Sequence, residues 1–280
     1  MPLKLRTTEQ SEHISTMNPA QLAKSGPALK AAQRLIVAAD FKPTGGNGRK
    51  WVWEQVIGLA TKLKGTGIVF KVNSALRACG YDLIDAIHQL GLEAFADLKL
   101  IDVDKTLETD GALLKEAQPE MLTAMCSSGI RPLKALKSEL PDLTEALGVT
   151  VLTSHKEEDC QAMFTCSIRD AVLRFAGVAR DSEFNGLISA ATDLEALTPD
   201  FGTLLTFNTP AIRPHWFTMQ KEDHQNQDRV MTPKGAIRAG ARRIVVGSPI
   251  LEDADPLSAV QRTITEIEQG IEELHSSLNA

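Results

Sequence analysis

No apolar run in the 280 residues approaches the roughly 20 that a membrane-spanning helix needs. The N-terminus carries no apolar stretch behind its charges, so neither an anchor nor a secretory signal is expected. Basic residues are in the minority. Thirty Lys and Arg against 36 Asp and Glu give a formal charge of -6 with no basic cluster, which argues against nucleic acid or an anionic membrane as partner. The four cysteines, Cys79, Cys126, Cys160 and Cys166, have neither C-x-x-C nor Cys/His ligand spacing, and are expected as thiols in a reducing cytoplasm rather than as disulfides or zinc ligands. The six histidines show no ligand spacing either, so no metal centre is expected. Thr44-Gly45-Gly46-Asn47-Gly48 is rich in glycine but lacks both the G-x-G-x-x-G spacing and the Walker lysine, which makes it a flexible turn.

What the chain does have is enough apolar residue, 43%, to bury a substantial core. Residues 1–17 are polar and read as a flexible N-terminal extension. Asn18-Pro19 then caps and opens a short helix through Gln21 to Lys24 that ends near Gly26-Pro27. From Leu35 onward, eight short apolar runs alternate with amphipathic stretches. The runs are Leu35 to Ala39, Ile68 to Val72, Ala94 to Leu98, Met121 to Met125, Val149 to Leu152, Gly186 to Ser189, Leu204 to Phe207 and Ile244 to Val246. Pro256 to Leu274 supplies the last helix. Eight βα units predict a single (β/α)8 TIM-type barrel over residues 18–280, with functional residues at the C-terminal ends of the strands.

Polar residues at those ends form a pattern. Asp40 follows the first run and Lys71 lies inside the second, where an ammonium is costly to bury unless a carboxylate meets it. The third run ends in Asp97, Lys99 and Asp102. Asp97 and Lys99, two apart on a strand, share a face. An isolated D-x-K-x-x-D is equally compatible with a surface salt bridge. Thr153-Ser154 after the fifth run could bond a polar ring edge or cap the next helix. Asn208 to Pro214 ends the seventh run, and the polar stretch from Lys221 to Arg229, containing Gln227, has the length of a lid. Gly247-Ser248 ends the eighth, where exposed backbone N–H groups suit an anion.

Taken together these residues resemble the orotidine 5'-phosphate decarboxylase family. The resemblance rests on Asp40, Phe70-Lys71-Val72, Asp97-Leu-Lys99-Leu-Ile-Asp102 with Thr106, Val149-Thr-Val-Leu-Thr-Ser154, Thr209-Pro-Ala-Ile-Arg-Pro214, Arg229-Val-Met-Thr-Pro233 and Val245-Val-Gly247, all in order. It implies conversion of orotidine 5'-phosphate to UMP and CO2 in the cytoplasm, without cofactor or metal. Lys71, Asp97, Lys99 and Asp102 would form the catalytic charge network. Asp102, Val103 and Thr106 would reach into the neighbouring subunit of a homodimer with shared sites. Asp40 would hold the ribose, Thr153 the pyrimidine ring, Pro210 the border of the ring pocket, and Gln227, Gly247 and Ser248 the phosphate.

Departures from the family pattern are also visible. Ser248 stands where arginine is usual, which removes a bidentate phosphate grip. Val103-Asp104-Lys105-Thr106 replaces the usual Ile-Pro-Asn-Thr, and Asn73 and Ala211 stand where glycine is usual. Two alternatives remain at this point. One is a metal-dependent keto-sugar phosphate decarboxylase or aldolase on the same barrel, whose second strand usually carries a glutamate where this chain has Lys71. The other is a nucleotide-binding barrel without catalysis.

Overall fold

The computed structural model describes residues 29–43, 48–218 and 230–276. The N-terminal extension, the helix proposed after Asn18, residues 44–47 of the glycine-rich turn, and the stretch Lys221 to Arg229 lie outside the described residues.

Eight parallel strands close into a barrel in sequence order, each hydrogen-bonded to the next and β8 to β1. They are β1 (Leu35–Ala38), β2 (Val69–Val72), β3 (Glu93–Leu100), β4 (Met121–Met125), β5 (Glu145–Val149), β6 (Gly186–Ile188), β7 (Thr206–Thr209) and β8 (Arg243–Val246). Helices run between them: α1 (Gly48–Lys62), α2 (Ser74–Cys79), α3 (Asp82–Gln89), α4 (Asp104–Ala117), α5 (Ile130–Glu139), α6 (Glu157–Phe164), α7 (Ile168–Asp181) and α8 (Leu194–Phe201). After β7 come α9 (His215–Thr218) and α10 (Pro233–Arg238), and after β8 come α11 (Ser248–Leu251) and α12 (Pro256–Ser276). This is the TIM barrel the alternation predicts.

Strands covered on both faces must be apolar on both, which is why β1 reads as an unbroken run and β8 does so from Ile244 onward. Outward residues such as Val37, Phe70 and Val72 pack with the helices in one large buried cluster. Inward residues Ile36, Val69, Phe95, Met121, Leu147 and Val245 form a second, smaller cluster inside the barrel. That inner cluster is a solid floor, and it fixes where the cavity above it begins.

Strand β4 coincides with the sequence reading; the fifth run does not. The expected strand at Val149 to Leu152 lies four residues earlier, at Glu145–Val149. Gly148 and Glu145 disguise it. A Cβ on Gly148 would lie 2.6 Å from the Cys126 sulfur, so the barrel wall requires glycine in mid-strand. Glu145 is charged because its carboxylate accepts two hydrogen bonds from Arg243, at 2.7 and 3.0 Å, at the end of the barrel away from the site. The Arg243 side chain is only 6% exposed.

Burial, with Glu120 and Glu145 nearby, pushes the Glu93 carboxyl up in pKa against the pull of Arg243. Arg243 helps this end of the barrel hold several carboxylates, with His88 bonded to Glu120 at 3.1 Å beside it. Arg243→Ala is expected to reduce unfolding free energy by about 3–5 kcal/mol, the usual cost of leaving a buried charge unpaired. Urea unfolding checks this, and a loss under about 1 kcal/mol would class the pair with exposed ones.

The candidate active site

Two residues beyond the apolar floor, toward the C-terminal ends of the strands, the same inward-facing rows carry Ala38, Lys71, Asp97, Thr123, Val149 and Gly247. Side-chain alternation alone therefore sets a polar layer on an apolar one. Above it opens a cavity of about 290 Å³, whose walls include Asp40, Lys71, Asp97, Lys99, Thr153, Pro210, Arg213 and Gly247. The structure thus gathers seven of the site residues expected from sequence around one cavity, together with Arg213.

Asp97 is the hub of the polar layer. Lys71 Nζ donates to Asp97 Oδ2 at 2.9 Å and to Asp40 Oδ2 at 3.1 Å. Lys99 Nζ reaches Asp97 Oδ2 at 2.6 Å and Oδ1 at 2.7 Å. Burial alone would raise the Asp97 pKa, but the adjacent Lys71 and Lys99 ammonium groups outweigh it and hold the carboxyl far below the usual range. For Lys71, burial opposes the charged form and Asp97 and Asp40 overcome it, so its pKa is raised. Both groups are locked in their charged forms inside a nearly dry site. Asp40 is half exposed and keeps one carboxylate oxygen free of Lys71.

The direction of these side chains comes from an irregularity in β3. Its register against β4 shifts between Ala96 and Leu100, and Lys99 adopts a positive φ of 50°. A bulge of this kind re-aims side chains, and a left-handed conformation is costly for lysine, so something must hold it.

Three expected residues lie elsewhere within the single chain. Asp102 is exposed and accepts a hydrogen bond from the Val103 N–H at 2.7 Å, outside the Lys71–Asp97–Lys99 network. Val103 is 59% exposed and Thr106 is also exposed. Ser248 opens α11, next to the cavity-lining Gly247, and is half-buried. Gln227 lies outside the described residues.

Four contributors were not singled out from sequence as site residues. Thr123 is fully buried in β4 and donates to Asp97 Oδ1 at 2.9 Å. Its only signal is a hydroxyl inside an apolar run. Asn73, on the loop after β2, donates to Asp97 Oδ2 at 3.4 Å. Ser189 lines the cavity, is 1% exposed, and its hydroxyl has no partner among the described residues, which leaves it open to a polar ligand atom or water. Arg213 lines the cavity from the loop after β7, and no carboxylate among the described residues pairs with it. Its signal was present in the Thr209 to Pro214 stretch. Cys126, by contrast, is inert: burial pushes its thiol up to about 12.

Comparison with known proteins agrees with this geometry. Residues 33–263 match the family model described as orotidine 5'-phosphate decarboxylase / HUMPS family. The orotidine 5'-phosphate decarboxylase of Syntrophus aciditrophicus is 31% identical over 261 residues, covering 89% of this chain and 99% of that protein. The enzyme of the same name from Syntrophomonas wolfei is 29% identical over 253 residues, covering 86% and 100% respectively. Among solved structures, the orotidine 5'-phosphate decarboxylase of Lactobacillus acidophilus superposes with a TM-score of 0.70 at 26% identity, over 84% of this chain and 99% of that one.

Proposed function

We propose that this chain, which belongs to the orotidine 5'-phosphate decarboxylase / HUMPS family, converts orotidine 5'-phosphate to UMP and CO2 without a cofactor. The observation that carries the reading is the Lys71–Asp97–Lys99 array at the cavity floor. Cleavage of the bond between C6 and the carboxylate leaves an electron pair on a ring carbon with little means of delocalising it. Lys99 supplies a fixed cation as that charge develops and delivers its proton to C6. Asp97, beside the substrate carboxylate, disfavours the bound ground state. Lys71 keeps Asp97 ionised and aimed.

Other roles follow from position. Asp40, with a free oxygen at the cavity rim, holds the ribose hydroxyls. Thr153 meets the pyrimidine edge and Pro210 borders it. The backbone at Gly247 and Ser248 meets the phosphate, and the Arg213 guanidinium supplies the cation that Ser248 does not. Asp102, Val103 and Thr106 serve the neighbouring site of a homodimer. Ile101 and Val103, 60% and 59% exposed, flank Asp102 and give that contact an apolar surface. The reaction belongs to UMP synthesis in the cytoplasm, and no described helix is long and apolar enough to cross a membrane.

The metal-dependent sister reading is disfavoured by Lys71. Its ammonium sits between Asp40 and Asp97, on the strand where those enzymes place a carboxylate for magnesium. A binding-only barrel has no need of two lysines converging on one buried carboxylate.

The test is to mix EDTA-treated protein with orotidine 5'-phosphate and follow loss of the orotate absorbance. Metal-free turnover is expected. No turnover at saturating nucleotide, with tight UMP binding, would leave the binding-only barrel as the better account. The phosphate assignment has its own test. Arg213→Ala is expected to lower kcat/KM by about ten- to a hundredfold, the worth of a charge-assisted contact. Ser248→Arg is expected to leave KM near its wild-type value, because Arg213 already fills the role, and a markedly lower KM would mean that it does not.

A further inference from the structure

Resting on the decarboxylase reading, we propose that the Thr123 hydroxyl is the positioning group that holds the Asp97–Lys99 bulge in its working shape. At the shift in β3 register, the Lys99 N–H leaves the ordinary strand ladder. It donates instead to Thr123 Oγ1 at 2.9 Å. The same oxygen donates its own proton to Asp97 Oδ1 at 2.9 Å. One hydroxyl therefore accepts from the backbone of one reacting residue and donates to the side chain of the other.

Its surroundings leave it no alternative partner, because Thr123 is fully buried at the centre of the barrel. Without the hydroxyl, the Lys99 N–H and one Asp97 oxygen would each lose a partner inside the barrel wall. The left-handed backbone at Lys99, φ 50°, would lose the bond that compensates its strain. Relaxation to an ordinary strand would keep Lys99 on the side of Asp97 but change the angle and distance at which its ammonium meets the carboxylate. A second brace acts from outside the barrel, where Arg77 on α2 donates to the Leu98 carbonyl at 2.7 Å. The C=O and the N–H of the Leu98–Lys99 peptide are thus both caught by side chains, and of the two only Thr123 also touches the Asp97 carboxylate.

Valine and serine separate the hydroxyl from the methyl. Thr123→Val keeps shape and apolar packing but removes the hydrogen bonds, and kcat is expected to fall about ten- to a hundredfold with KM near its wild-type value. Thr123→Ser keeps the hydroxyl and loses the methyl, and its kcat is expected within a few-fold of wild type even if its melting temperature drops. An active Val variant beside a slow Ser variant would overturn the proposal. If the Val variant fails to fold, Thr123→Ala takes its place as the hydroxyl-free variant and the same contrast applies.

A crystal structure of the hydroxyl-free variant gives a readout that needs no turnover, so it separates this inference from the decarboxylase reading. Lys99 is expected to leave the left-handed region, with its ammonium displaced from the 2.6 and 2.7 Å contacts it makes with Asp97. A bulge unchanged from wild type would refute the role assigned to Thr123, whatever the protein's substrate.

Discussion

Lys99→Ala is expected to lower kcat for orotidine 5'-phosphate by on the order of 10⁴-fold or more. A positioned general acid contributes about 10²–10⁴-fold, and one preorganised charge at the developing anion about 10²–10³-fold. In the proposed mechanism both fall on the Lys99 ammonium. The protein should nonetheless fold, because Asp97 keeps Lys71, Thr123 and Asn73 as donors when Lys99 is gone. UMP affinity and the circular dichroism spectrum are therefore expected to stay near wild type, which places the loss on the chemical step. A variant that keeps more than about a hundredth of wild-type kcat would remove Lys99 from the role of proton donor.

The second large effect is a recovery rather than a loss. Asp102 lies outside the Lys71–Asp97–Lys99 network of its own chain, yet it is exposed together with Ile101 and Val103. If it completes the site of a neighbouring subunit, each site takes Lys99 from one chain and Asp102 from the other. Lys99→Ala and Asp102→Asn should each be nearly inactive alone. Reassorted together, half the dimers would be mixed, and every mixed dimer would hold one intact site and one doubly defective site. Activity should rise to about a quarter of wild type per chain, as closed two-fold symmetry requires. Equal mixtures that show only the sum of the parents would mean that Asp102 acts within its own chain or not at all.

The barrel was legible because its strands are buried on both faces and its helices on one, which writes two different periods into the sequence. β5 was obscured because Gly148 answers to Cys126 and Glu145 to Arg243, both distant in sequence. Lys71, Asp97 and Lys99 stood out because charge inside an apolar strand has few structural uses. The bulge that aims them left no trace. A positive φ at lysine is imposed by tertiary contacts, and the threonine that imposes it looks like any β-branched strand residue. Arg213 lay in a stretch already singled out, but only the folded loop brings it to the cavity that Gly247 also lines. The short helices α2 and α11 are four to six residues long, too brief to carry a period of their own.

The opposed shifts of Asp97 and Lys71 have a consequence for how the protein answers to acid and alkali. Asp97 is depressed, so the stability it contributes is present above the ordinary carboxylate range and is lost only as pH falls through its lowered value. Lys71 is raised, so its contribution is present below the ordinary lysine value and is lost only as pH rises through the raised one. Across the span between, the pair behaves as a fixed electrode whose polarity the solvent cannot change. A limb in the rate profile within that span belongs to some other group, and the substrate's own phosphate, with a second ionisation near about 6, is the nearest. The pocket would then sense pH through the charge its ligand brings in, while the Lys71–Asp97 pair beneath it stays constant.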